Sequence, residues 1–449
     1  MPSTSLLYRA LIRCGIALAP LLARGRPKLQ AGLAGRDGLL ERLESWARAQ
    51  RDPARPLLWM HAASRGEALQ AEAVLRQLRR SHPEWQFVFT YFSPSAAPLA
   101  AELPVDLADY LPWDRRADVD AALASLQPTA LVFSKLDLWP ELATRAAARG
   151  VPVGIIGAAV SERARRLRWP ARSLSRAGYQ AVTAAGAVRE GDAVRLAALG
   201  VARERIELTG DPRFDSVLER ARAVRSDDPR PGRAIGAGSA TLVAGSTWPA
   251  DEDVLLTAFR VLQNAQEDVR LVLVPHEPTA EHLERLDHAA RQRGLEPTRW
   301  SPTVGPQRLL VVDRVGMLAT LYSGAGLAYV GGGFGTAGLH SVLEPAACGV
   351  VVLFGPRGRD NPDAEALLQR RAAAVVSPEF PDWLDLDSQA THAGSPLAAL
   401  WLALLRHPAH LRAAGRRALE YVEAGAGAAA RNAGLVERLM RERAAVSVR

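Results

Sequence analysis

Short apolar runs alternate with amphipathic helical stretches along most of this chain, the pattern of an α/β protein built on parallel sheets. In a first set, Leu57–Met60, Phe87–Tyr91, Ala130–Phe133, Val153–Ile156 and Ala181–Ala184 read as buried strands, with helices such as Glu67–Arg80 and Asp118–Leu126 between them. In a second set, Leu242–Ala244, Val269–Val274, Leu309–Val312, Leu327–Val330, Val350–Phe354 and Ala373–Val376 repeat the alternation. The pattern predicts two doubly wound domains, at residues 29–223 and 239–410. Residues 224–238, rich in Arg, Asp, Pro and Gly without apolar periodicity, form the expected linker. The chain is largely helical from Leu397 to Arg441, and helices at residues 411–449 close it.

The N-terminal segment, residues 1–28, follows a different pattern. Leu6–Ala23 is apolar but interrupted by Arg9 and Arg13, and its unbroken part from Cys14 to Ala23 is too short to span a bilayer. Arg24, Arg26 and Lys28 follow at once, which suits a helix lying in the interface of an anionic leaflet. A signal peptide or single span, and a helix buried in the domain, are the competing readings. The expected setting is the cytoplasmic face of the inner membrane.

Composition narrows the classes further. A chain of 449 residues with 48% hydrophobic and 23% charged residues is neither disordered nor fibrous. Its net charge of +8 is carried almost wholly by arginine, since Lys28 and Lys135 are the only lysines. Nucleic acid is not the expected partner of this charge, because no reader motif is present and aromatic residues are sparse in the basic N-terminal run, Tyr8 and Trp46 alone. Cys14 and Cys348 lie too far apart in sequence to suggest a disulfide or metal framework, and Cys348 reads as a packing residue.

Tyr329–Gly349, YVGGGFGTAGLHSVLEPAACG, joins a strand end, a glycine cluster and an expected helix start carrying His340 and Glu344. Gly331, Gly332, Gly333 and Gly335 permit a tight turn and close approach of backbone to a ligand, and helix amides after such a turn favour an anion. The alternative is a plain tight turn. Other polar residues also collect after strands: HAASRGE at His61–Glu67, SKLDLWP at Ser134–Pro140, GSTW at Gly245–Trp248, PHEP at Pro275–Pro278 and DRVGML at Asp313–Leu318. In doubly wound folds this is the end of the sheet where ligands bind.

These blocks, with TGDPRFDSV, LHSVLEPA and LFGP, occur in the order found in the 3-deoxy-D-manno-octulosonic acid (Kdo) transferases, which the chain resembles over nearly its whole length. The resemblance implies a GT-B fold, two Rossmann-like domains facing a central cleft with an N-terminal membrane-contacting helix. It implies an inverting, metal-independent transfer of Kdo from CMP-Kdo to a lipid A precursor in lipopolysaccharide core biosynthesis, without a cofactor. The C-terminal domain would bind the donor through Ser246, Thr247, His276, Gly316, Gly332, Gly333, His340 and Glu344, with Arg213 bracing the leaving phosphate. The N-terminal domain would meet the acceptor through Ser64, Gly66 and Lys135.

Each of these residues has a plainer reading. Ser246 and Thr247 fit a helix N-cap, Glu344 complements a helix dipole, and Glu67 fits a cap. Arg213 has an ion pair with Asp211 or Asp215 available to it, and Lys135 one with Asp137. The family's general base is a glutamate in a pattern like E-G-R-x-G, whereas this chain reads AGRDG with Ala34 in that place. Glu67 and Asp37, with Glu41, are the candidate substitutes. Two alternatives follow: an enzyme using another nucleotide sugar or acceptor, or a homologue that binds donor with impaired turnover.

Overall fold

The computed structural model describes residues 3–224, 238–384 and 394–447. The chain divides into two compact units, Met1–Ser216 with Gly425–Arg449, and Val217–Ala424. The expected linker lies outside the described residues apart from Val224 and Gly238.

The first unit is one seven-stranded parallel sheet: β1 (Leu57–Ala62), β2 (Gln86–Tyr91), β3 (Leu107–Tyr110), β4 (Ala130–Ser134), β5 (Val153–Ala158), β6 (Ala184–Ala187) and β7 (Ile206–Leu208), in the order 3-2-1-4-5-6-7. β1, β2, β4 and β5 are buried throughout, which is why they read as unbroken apolar runs rather than alternating ones. The β6 strand begins three residues later than expected, at Ala184, because the apolar Ala181 and Val182 close the preceding helix and its connection. Two edge strands, β3 and β7, escaped the sequence reading. Both are short and incompletely buried, so neither leaves an apolar run.

In the second unit, β8 (Gly238–Thr247), β9 (Arg270–Pro275), β10 (Thr298–Arg299), β11 (Leu309–Val311), β12 (Ala325–Val330), β13 (Val351–Phe354) and β14 (Ala373–Val375) form a parallel sheet in the order 10-11-9-8-12-13-14. Each sheet therefore reverses its winding once, between β1 and β4 and between β8 and β12. A crevice at the carboxyl ends of the strands is expected at such a point.

The N-terminal segment folds as α1 (Leu6–Leu22), α2 (Pro27–Ala34) and α3 (Leu39–Gln50). No helix among the described residues is long and apolar enough to cross a membrane. One side of α1 is held by the first unit through buried carboxylates. Tyr8 donates its hydroxyl to Asp114 across 2.5 Å, Arg9 pairs with the fully buried Glu141 at 3.0 Å, and Thr4 also bonds Glu141. The other side exposes Leu6, Leu7, Leu11, Leu18, Leu21 and Leu22.

Asp114 also accepts from the backbone N–H groups of Glu141 and Leu142, yet burial pushes its pKa up from 3.8 to about 6. A carboxyl raised in this way supports the fold most when protonated. Its contribution is full below about pH 4 and is lost as the pH climbs through 6, about 3 kcal/mol in all. Asp114→Asn mimics the protonated form. The difference in unfolding free energy between wild type and this variant should change by about that amount from pH 4 to 7, read by denaturant titration; a flat difference would refute the assignment.

Candidate functional site

At the end of β1 the chain turns into α4 (Arg65–Ser81), capped by Ser64. Glu67 closes the cap: its Oε2 accepts from the Ser64 N–H at 3.0 Å and from the Ser64 hydroxyl at 3.2 Å. Gly66 lies exposed on the first turn, and Ser134 at the end of β4 donates to the Glu67 carbonyl at 3.1 Å. Ser64, Gly66 and Glu67 thus stand at the first sheet's switch point. Lys135 follows β4 there in a left-handed conformation, φ +63°, its N–H donating to Ile156. Left-handed backbone is costly for a non-glycine residue.

The ion pair with Asp137, the plainer reading of Lys135, does not form among the described residues. Asp137 instead accepts from Arg166 at 2.8 Å, Trp139 at 3.1 Å and the fully buried His61 at 3.4 Å. Burial opposes the charge on Asp137, but these partners outweigh it and hold the carboxyl below its usual range. Among the described residues Lys135 pairs with no carboxylate. The sequence reading missed this His61–Asp137–Arg166 network because its members come from β1, the segment after β4 and the segment after β5, far apart in the chain.

The AGRDG turn joins α2 to α3. Arg36 anchors it, lying over the rings of Phe92, Trp113 and Tyr110 at 4.4, 4.7 and 4.9 Å and donating to the carbonyls of Gly32, Phe92 and Leu111. A Cβ on Gly35 would overlap the Tyr110 ring, and Gly38 has φ +64°. Ala34, Asp37 and Glu41 are exposed on the surface of this frame. Arg213, placed with the donor by resemblance, belongs to the first unit and ion-pairs with Asp211 at 2.7 Å. Asp215 accepts instead from the N–H groups of Gly427 and Ala429.

In the second unit the expected residues gather around the ends of β8, β9 and β12, with one substantial correction. His340 precedes the helix, which starts at Leu343 and runs only to Ala347, so the helix N-terminus does not follow the glycine turn directly. The turn itself is drawn inward. Gly331 N–H donates to the Gly245 carbonyl and Gly332 N–H to the Asp251 carboxylate, both at 2.9 Å, so these amides are engaged within the protein. A Cβ on Gly331 would overlap the Ser246 carbonyl, and one on Gly332 the Gly338 carbonyl. Close packing of strand ends already requires both glycines. Gly333 is buried beside them, and Gly316 lies in an exposed loop with φ +88°.

β8 runs three residues further than expected and carries a bulge, with Ser246 left-handed at φ +53°. Its neighbour Thr247 is fully buried and donates to Glu252 at 2.9 Å. Glu252 also bonds His282; burial raises its pKa, and the histidine opposes the rise. Thr247 therefore serves the interior, whereas the Ser246 hydroxyl has no partner among the described residues. His340 stacks on the exposed His276 with ring centroids 4.1 Å apart. Burial, and then His276, hold the His340 pKa down to about 4, so it is neutral at pH 7.

Glu344 pairs with Arg220 at 3.4 Å, which spares it the role of a dipole partner alone. The Cys348 thiol is pushed up to about 12 by burial and the nearby Glu344, as suits a packing residue rather than a nucleophile. Among the described residues no group of three His, Cys, Asp or Glu side chains is arranged to hold a metal ion.

Residues 37–216 match the family model described as 3-deoxy-D-manno-octulosonic-acid transferase (kdotransferase). A 3-deoxy-D-manno-octulosonic acid transferase of Chlamydophila psittaci is 29% identical over 332 residues, 72% of this chain and 74% of its own. That of Haemophilus influenzae is 25% identical over 378 residues, 82% of this chain and 84% of its own. The chain is thus similar to the Kdo transferases over most of its length, which supports reading it as a divergent relative of them. Among solved structures, UDP-GlcNAc 2-epimerase from Neisseria meningitidis superposes with a TM-score of 0.55 at 10% identity, covering 82% of this chain and 99% of that one. At that identity the likeness concerns the fold alone, and it agrees with the GT-B class, two Rossmann-like domains. The match to the Kdo transferase model begins at Asp37, so Ala34 lies just outside it.

Proposed function

We propose that this chain is a glycosyltransferase that moves Kdo from CMP-Kdo to a lipid A precursor at an anionic membrane surface, as a step of lipopolysaccharide core synthesis. The observation that carries the reading is the gathering of family blocks at the switch point of each sheet: Ser64, Gly66, Glu67 and Lys135 in one, Ser246, the glycine turn and His340 in the other. The second unit takes the nucleotide sugar and the first takes the lipid acceptor.

In the reaction an acceptor hydroxyl loses its proton to a base and its oxygen bonds the anomeric carbon of Kdo. The bond from that carbon to the phosphate oxygen breaks, its electron pair leaves with CMP, and the configuration inverts. Glu67 is the proposed base, because it stands at the switch point with one carboxylate oxygen outside the cap. Asp37 and Glu41, exposed around the Arg36 turn, are the next candidates. No metal is assigned a part; cationic and N–H groups stabilise the departing phosphate.

The deciding experiment is CMP release from CMP-Kdo by the purified full chain in detergent, with and without a tetra-acylated lipid A precursor. Acceptor-dependent release is expected. A folded protein that CMP-Kdo protects from heat without releasing CMP would be a donor-binding homologue, and stronger protection by a UDP-sugar would reassign the donor. Both outcomes overturn the proposal.

The outer face of α1 supports membrane contact: six leucines point away from the unit that holds the helix, and Arg24, Arg26 and Lys28 follow it, all exposed. Leu11→Glu with Leu18→Glu is expected to cut binding to vesicles containing anionic lipid by at least tenfold in a flotation assay. Unchanged binding would remove α1 from the membrane interface.

A further inference from the structure

Trp248 stands between β8 and the helix Pro249–Asn264, and its indole Nε1–H donates to His340 Nε2 across 2.9 Å. The two rings are within 11° of parallel, and His276 packs against both, with centroids 4.1 Å from His340 and 5.1 Å from Trp248. An indole nitrogen can only donate, so His340 Nε2 is the lone-pair nitrogen. In the neutral ring the proton then sits on Nδ1. Among the described residues His340 Nδ1 has no partner. The amides of Gly331 and Gly332, which a glycine turn would otherwise offer to an anion, are engaged within the protein. Beside the Ser246 hydroxyl, the His340 Nδ1–H is a side-chain donor that this part of the unit has left to present.

We propose that Trp248 is a positioning residue that fixes His340 as its Nδ1–H tautomer, and that this N–H donates to a phosphate oxygen of the bound nucleotide. The inference rests on reading the second unit as the nucleotide-sugar domain. A neutral donor suits the place, since burial and the neighbouring His276 both disfavour a charge on His340. Without the indole bond the imidazole proton is free to move to Nε2, leaving an acceptor facing the phosphate. The ring would stay in place and lose the hydrogen bond.

Trp248→Phe keeps an aromatic ring and removes only the N–H, so the test compares it with wild type in two measurements on the full chain at pH 7. Long-range ¹H–¹⁵N spectra of the histidine rings report the tautomer. They should show His340 protonated on Nδ1 in wild type and shifted toward Nε2 in the variant. Calorimetry with CMP and with cytidine reports the contact. CMP affinity should fall about tenfold in the variant while cytidine is unaffected.

His340→Ala should lose CMP affinity to a similar extent. The double variant should lose little more, as expected when one residue acts through the other. Should the tryptophan variant fail to fold, His340→Ala with the two ligands still decides whether the histidine meets the phosphate, and the wild-type spectrum still decides the tautomer. A wild-type His340 protonated on Nε2, or equal losses for CMP and cytidine, would overturn the proposal. Failure of wild type to bind CMP would overturn the nucleotide reading and the phosphate contact with it, while the ring spectrum would report separately on the tautomer.

Discussion

Glu67→Gln is expected to slow acceptor-dependent CMP release by about 10²- to 10⁴-fold, the usual consequence of losing a general base. The substitution isolates chemistry from structure because of how Glu67 is held. One carboxylate oxygen accepts both bonds from Ser64, and an amide oxygen can accept them equally well, since glutamine serves this cap as glutamate does. What glutamine cannot do is take a proton. Thermal stability should therefore stay within about 1 kcal/mol of wild type while turnover collapses. A variant with near-normal turnover would remove Glu67 from the mechanism and leave Asp37 and Glu41, on the turn that carries Ala34.

Asp251→Ala should produce the largest loss of stability in the second unit. The fully buried carboxylate accepts from the Tyr329 hydroxyl at 2.7 Å, the Gly332 N–H at 2.9 Å and the Trp248 N–H at 3.0 Å. Burial, followed by the carboxylate itself, pushes the Tyr329 phenol far up, so it remains a donor throughout the ordinary pH range. Alanine strands three donors, two of them in the interior, at about 1–3 kcal/mol for each buried one. The expected total is about 3–5 kcal/mol, or roughly 10 °C in the melting transition of a domain this size. Amide hydrogen exchange at Gly332 should accelerate with it. A loss below about 1 kcal/mol would mean that water or a neighbouring side chain replaces the carboxylate.

Much of the fold was legible because parallel strands buried on both faces leave continuous apolar runs, and the central strands of both sheets appear within a few residues of where those runs lie. β3, β7 and β10 were not, since edge strands are short and only partly covered. At the candidate site, order along the chain pointed to loops at the strand ends but not to what their atoms do. The glycine turn reads as an amide cradle, yet Gly331 and Gly332 direct their N–H groups inward. Thr247 reads as a ligand group, yet its hydroxyl serves Glu252. Lys135 and Asp137 are near neighbours of opposite charge, yet Asp137 turns to His61 and Arg166, residues no local pattern links to it. Hydrogen-bond partners contributed by distant loops are the part of a site that periodicity and spacing do not encode.

The Arg36 turn separates two requirements that often share the same residues. Three rings and three carbonyls fix the guanidinium, and the backbone on either side is fixed with it, while the side chain at position 34 projects from that frame into solvent. An exposed substitution there changes stability by no more than about 0.5 kcal/mol. The turn thus behaves as a socket: the residue at position 34 can be exchanged with the scaffold neither rewarding nor resisting the change.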